Sequence, residues 1–159
     1  VVFFHLIKAM SLYSNRFSIA SFDPECVKYY DNIGRVLLES TDDPDVFLTL
    51  DYNLELYPKL NKNARSLEVQ ILSSISYQDF NVSADSPNYD PKLSEILHDA
   101  YPDLDYAMHG TVFEFRAVGD KVDMFISFGG LIAKLQAPAF RLERFKFGMK
   151  LYLLCCNTM

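Results

Sequence analysis

Met124-Phe125-Ile126-Ser127-Phe128-Gly129-Gly130-Leu131-Ile132-Ala133-Lys134-Leu135-Gln136 is the stretch on which the fold turns. Met124, Ile126 and Phe128 share one parity, and Asp123, Phe125 and Ser127 take the other. Beyond the glycines, Leu131, Ala133 and Leu135 alternate with Ile132, Lys134 and Gln136. Successive side chains of a strand point to opposite faces, so the pattern reads strand, pivot, strand. Two glycines inside a strand weaken it unless the backbone bends sharply or takes positive φ. The pair marks a tight hairpin or a coiled corner of a small barrel.

Outward from this element the chain keeps a period of two. Tyr106 to Arg116 has strand character, and Val118-Gly119-Asp120 turns it into the glycine element. Downstream, Ala137-Pro138-Ala139 breaks the run. Phe145, Phe147, Met149, Leu151 and Leu153 then alternate with Lys146, Gly148, Lys150 and Tyr152, which predicts a closing strand. Upstream, Val46, Leu48, Leu50, Tyr52, Leu54 and Leu56 alternate with Thr49, Asp51, Asn53 and Glu55. That predicts a long strand with one wet face, ended at Pro58. Leu67, Val69 and Ile71 predict another strand, Gly34 to Ser40 another, and Phe17, Ile19 and Phe22 a first one within Met10 to Asp23. Asp23-Pro24-Glu25 and Thr41-Asp42-Asp43-Pro44-Asp45 read as turns. The second is a solvated turn rather than a cation site, because no further oxygen ligand follows at a recognisable loop spacing. Ser73 to Pro91 reads as the longest loop. Asp90-Pro91 then caps one short helix bearing Leu93, Ile96, Leu97 and Ala100, which stops at Pro102. The expected class is all-β, a single antiparallel barrel or sandwich of about eight strands with one short helix in a long loop.

Composition narrows the function classes. The 159 residues include 13 Phe and 10 Tyr but no Trp, and half are hydrophobic, which is enough for one domain with a real core. The net charge of −6 argues against a free-standing nucleic-acid binder, which advertises a basic surface. Cys26, Cys155 and Cys156, an odd and scattered set, suggest reduced thiols. No apolar run reaches the roughly 18 residues that span a bilayer. Val1 to Ala9 has no basic segment ahead of its apolar part, so Met10 is expected to be the native start, with residues 1–9 an upstream extension and 10–159 one domain.

Chemistry is nearly absent from the pattern. His5, His98 and His109 have no second histidine or cysteine at metal-ligand spacing, and no nucleophile elbow, phosphate loop or zincin motif occurs. No cofactor and no catalytic residue is expected. His109 reads as a structural residue and Cys155-Cys156 as a packed or exposed tail pair. Arg141, Arg144, Lys146 and Lys150 gather near the closing strand: a solvated face, or a contact for an acidic partner or nucleic acid. The aromatic surplus serves a core, a protein interface or base stacking equally well.

Four ordered stretches add a resemblance. Ser127 to Gln136 is similar to S-Y-G-G-L-L-M-R-L-Q of subunit eight, the small subunit shared by eukaryotic nuclear RNA polymerases I, II and III. Here Phe128 replaces tyrosine, Ile132 leucine, Ala133 methionine and Lys134 arginine, and Ala137 stands where glycine is common. Leu50 to Pro58 resembles the family's L-D-x-N-x-x-I-Y-P, Tyr106 to Phe113 its Y-V-M-Y-G-K-V-Y, and Leu151 to Leu154 its V-Y-L-L. Phe22-Asp23-Pro24-Glu25 falls where the family has I-D-P-E or I-D-P-D. Ser73 to Asp105 departs from the family and corresponds to its long variable loop. Cys155 to Met159 replaces a basic or apolar end.

The resemblance implies a barrel of the oligonucleotide/oligosaccharide-binding type. It also implies a noncatalytic assembly subunit in the nucleus, including the nucleolus for polymerase I, docked on the largest subunit with no sequence-specific nucleic-acid contact. The residues expected to meet that partner are Phe128, Gly129, Gly130, Leu131 and Ile132, with Arg144 and Lys146 as a polar rim. A glycine pair admits a partner backbone closely, and apolar side chains beside it form an interface core. The rival class is a free single-stranded nucleic-acid-binding barrel, which predicts salt-sensitive binding to short strands. An enzyme is disfavoured, since no titratable constellation is visible.

Overall fold

The computed structural model describes residues 11–29, 31–85 and 91–158. Ten strands are present among them: β1 (Ser11–Phe22), β2 (Ile33–Ser40), β3 (Phe47–Asn53), β4 (Ser66–Leu72), β5 (Ser74–Tyr77), β6 (Phe80–Ser83), β7 (Tyr106–Val118), β8 (Lys121–Phe128), β9 (Leu131–Pro138) and β10 (Lys150–Thr158). Eight of them close a barrel in the order β1-β2-β3-β9-β8-β7-β10-β4, and β5 and β6 form a separate hairpin. All the pairings are antiparallel. The all-β barrel of about eight strands expected from the alternation is therefore the fold. Closure depends on β1, which pairs through Ser11–Ser18 with β4 and through Phe17–Phe22 with β2, with irregular register at both ends. Such irregularities bend a long strand so that it belongs to two sides of a barrel.

The alternating apolar residues fill the interior. Phe17, Val36, Leu50, Leu67, Val69, Met124, Ile126, Ala133, Leu135, Leu151 and Leu153 are all fully buried in one cluster. A second cluster of Leu72, Ile75, Ala84, Tyr152 and Leu154 lies outside the barrel wall, packed by Leu93, Ile96 and Leu97. β10 is thus buried on both faces, which is why Leu151-Tyr152-Leu153-Leu154 shows no wet face in the sequence.

Four expectations are corrected. Asp23-Pro24-Glu25 opens a six-residue helix, α1 (Pro24–Tyr29), rather than a simple turn. The Asp23 carboxylate accepts the Glu25 N–H at 2.9 Å, and proline suits the first helical position. The long strand stops at Asn53, not at Pro58. The Asn53 side-chain oxygen accepts the N–H groups of Glu55 and Leu56 at 2.9 and 3.1 Å, and this local turn leaves Leu56 68% exposed. The segment from Ser73 to Pro91 is not all loop, because β5 and β6 pair through a two-residue turn with Gln78 at φ +53°. Finally, β10 begins at Lys150 and runs through Cys155 and Cys156, while Phe145 to Gly148 lie in a connection that follows a 3-10 turn at Ala139–Leu142. Gly148, at φ +81°, breaks the strand there, so the apparent alternation across it does not share one sheet. The expected helix is α2 (Leu93–Ala100), with Lys92 at its N-cap; Asp90, like residues 1–9, lies outside the described residues.

Candidate protein-docking surface

The glycine pair is a two-residue hairpin turn between Phe128 and Leu131, which pair across it. Gly129 and Gly130 have φ of +63° and +103°, the signs required by the turn that matches strand twist. A Cβ added to either meets nothing within 4 Å, so backbone conformation and not crowding demands glycine there. Both glycines are exposed at the tip of β8 and β9.

The neighbouring side chains divide between two faces. Phe128 is only 6% exposed and turns inward over Gly110, where a Cβ would sit 2.5 Å from its ring and from the Ser127 carbonyl. Leu131 packs partly against the core. Ile132 points outward at 39% exposure. Of the apolar residues expected at the contact, Ile132 alone faces solvent to that degree, while Phe128 and Leu131 hold the turn from beneath.

A carboxylate holds it from the side. Asp51 accepts the Ile132 N–H at 3.1 Å and is itself only 5% exposed. Arg35 grips the same carboxylate through Nε at 2.6 Å and Nη2 at 3.2 Å, with Asp23 at 3.9 Å from its Nη1. That hydrogen bond raises the Arg35 pKa further above its ordinary range. A fork of two N–H donors fixes both carboxylate oxygens in one plane. Periodicity alone assigned Asp51 to a wet face and passed over Arg35. The signal available was an acid and an arginine at equivalent outward positions of two adjacent strands, visible only once Arg35 and Asp51 are known to be paired.

The outer wall around Ile132 carries apolar and cationic groups together. Phe113 and Phe125 have ring centroids 6.0 Å apart, Arg116 lies 5.3 Å over the Phe125 ring, and Lys121 lies 5.0 Å over Phe47. Leu37 is exposed on β2. Arg144 and Lys146 are not on the closing strand as expected but on the connection before it. Arg144 donates to the Ser11 carbonyl, and Lys146 is exposed. That connection rejoins the sheet beside Val112 of β7, so β7 and β8 stand between it and the β9 side of the turn. The structure therefore brings the five residues of the turn together and leaves the two basic ones apart from them.

The remaining candidates have structural partners. His109 Nε2 lies 2.8 Å from the Ala84 carbonyl oxygen, and its ring meets Tyr152 edge-on at 5.2 Å, tying the β5–β6 hairpin to the barrel. Asp43 pairs with Arg141 at 2.9 Å, so the acidic turn anchors the 3-10 segment. Cys155 is fully buried, and burial pushes its thiol far above the ordinary range. Cys156 faces the other side of the strand, where burial and then the Glu68 carboxylate push it up to about 11.

Comparison with known proteins assigns this barrel. The family model for RNA polymerase Rpb8 matches residues 14–157. A Saccharomyces cerevisiae protein, DNA-directed RNA polymerases I, II, and III subunit RPABC3, is 32% identical over 86% of this chain and 91% of its own length. A Caenorhabditis elegans protein carrying the RPABC3 designation is 28% identical over 92% and 96% of the two chains. DNA-directed RNA polymerases II, IV and V subunit 8B of Arabidopsis thaliana is 25% identical over 90% and 93%. With the match running from β1 to β10, the chain belongs to the RNA polymerase Rpb8 family.

Proposed function

We propose that this chain is a noncatalytic, structural subunit shared by DNA-directed RNA polymerases I, II and III, docked on the largest subunit in the nucleus, and in the nucleolus with polymerase I. The observation that carries the reading is the family match over residues 14–157, which spans the whole barrel. The contact we assign centres on Gly129, Gly130 and Ile132, with Phe128 and Leu131 as the buried support that presents them. Arg144 and Lys146 act as a separate basic flank. An exposed two-glycine turn admits a partner backbone closely, and the adjoining outward apolar residues supply area that excludes water.

Affinity purification of the tagged chain from its own cells, followed by mass spectrometry, tests this. Recovery of the large subunits of more than one polymerase is expected. Recovery of the chain alone would overturn the reading. Gly130→Val is expected to reduce recovery of the largest subunit at unchanged far-UV circular dichroism, and undiminished recovery would remove the glycine turn from the interface.

One observation favours the rival reading. Phe47 and Phe125 each face outward under a cation, a pairing that also suits stacked bases. The isolated chain in titrations with short single strands decides it. Binding tighter than about 1 μM at physiological salt, weakening steeply with added salt, would favour the nucleic-acid module.

A further inference from the structure

β7 outruns the barrel. Its Tyr106–Thr111 half pairs with β10, while the pairing with β8 continues from Thr111 to Val118. Val112 makes the last bonds on the β10 side: its N–H reaches the Met149 carbonyl and its carbonyl accepts the Gly148 N–H, both at 2.8 Å. Gly148 then turns the chain away. From Phe113 to Val118 no backbone pairing to that side of β7 occurs among the described residues. Alternate residues of an antiparallel strand aim N–H and C=O at opposite neighbours, so about half of these backbone groups face an open edge.

The side chains along the edge are sticky. Phe113, Phe115 and Val118 are 38%, 37% and 46% exposed, and Phe147, where the chain departs, is 74% exposed. The charges on the edge itself, Glu114 and Arg116, bond each other at 2.9 Å. Lys146 and Lys150 stand at the start of the edge with no ion pair among the described residues. An uncovered edge with apolar side chains is a template for an added strand.

We propose that Glu114–Val118 accepts one extended segment of the polymerase subunit on which the chain docks, added as a further strand and carrying apolar residues with acidic neighbours. The apolar residues cover Phe113, Phe115 and Val118, and the carboxylates meet Lys146 and Lys150. A second copy of the chain is a poorer occupant. Antiparallel self-pairing centred on this stretch sets Arg116 against Arg116, and like charges directly opposite destabilise a sheet. The proposal rests on the docking reading above and adds the place where backbone meets backbone.

Hydrogen exchange by mass spectrometry on the isolated chain and on the affinity-purified polymerase tests it. Amides of Glu114–Val118 are expected to exchange at least about tenfold more slowly in the polymerase, because new ladder bonds must open first. A photo-crosslinking residue at Phe115 is expected to capture a large polymerase subunit. Polymerase recovered with unchanged exchange and no crosslink overturns the edge proposal and leaves docking intact. Failure to recover polymerase at all overturns both. Protection in the isolated chain, accompanied by a doubled mass, assigns the edge to a second copy and overturns the proposal.

Discussion

Asp51 carries the glycine turn, and four substitutions separate its role from that of the glycines. Asp51→Ala leaves the Ile132 N–H without its acceptor and Arg35 without its fork. Because the Arg35 side chain is 37% exposed, water recovers part of the loss, and the expected cost is about 2 kcal/mol in urea denaturation. Asp51→Asn keeps an acceptor oxygen and is expected to cost about half as much. Gly130→Ala is strained only by its φ and is expected to cost about 1–2 kcal/mol. Gly110→Ala drives a Cβ to 2.5 Å from the Ser127 carbonyl oxygen, a backbone atom, and is expected to cost more, about 3 kcal/mol, so thermal melts should rank it lowest. The thiols give a pH test. Burial raises Cys156 from 9.0 to about 11, so its unfolded form ionises first. Its contribution to stability is complete below pH 9 and is lost as pH rises through about 11. Alkylation of the native chain by iodoacetamide is expected to accelerate through that range at Cys156, while Cys155 reacts only on unfolding.

The elements fall into a barrel and an attachment. The β5–β6 hairpin and α2 pack on the outside of β4 and β10 through Ile75, Ala84, Tyr152 and Leu154, and His109 bonds the Ala84 carbonyl. Ile75→Ala is expected to cost about 2–4 kcal/mol, since Ile75 is fully buried. Hydrogen exchange should show the loss confined to the hairpin and α2, with β8 still protected; equal loss of protection in β8 would mean that the two clusters open as one unit. Most barrel strands were legible because they alternate buried and wetter residues; β10, buried on both faces, carries no such alternation, which is why its start was misplaced. The attachment was not legible. Ser74 to Ser83 is short and polar, with a turn at Gln78-Asp79 that has no glycine, and four-residue strands leave little periodic signal. α1 was hidden for a related reason: six residues are too few to show a helical period, although Asp23-Pro24 is a sound start signal.

At the scale of the whole molecule, the acidic chain still gathers some of its basic groups on one wall. Net charge is −6, yet Arg116, Lys121 and Lys134 share the outer face of β7, β8 and β9. The isolated chain is accordingly expected to bind short single strands no tighter than about 10 μM at physiological salt, checked by fluorescence anisotropy. What the sequence by itself determined is the set of barrel strands, the hairpin at Gly129-Gly130 and the family, since strand alternation and turn glycines are local and survive divergence at 32% identity to the yeast relative. The tertiary structure alone decided which residues are available. Phe128 and Ile132 lie four apart on opposite sides of a two-residue turn, and only closure of the barrel buries the first over Gly110 and leaves the second in solvent. Only strand pairing joins Arg35 to Asp51, and only the stagger of β7 against β10 leaves an open edge. Period two tells a side chain's face; which strand lies beside it, and where that pairing ends, is set by long-range closure.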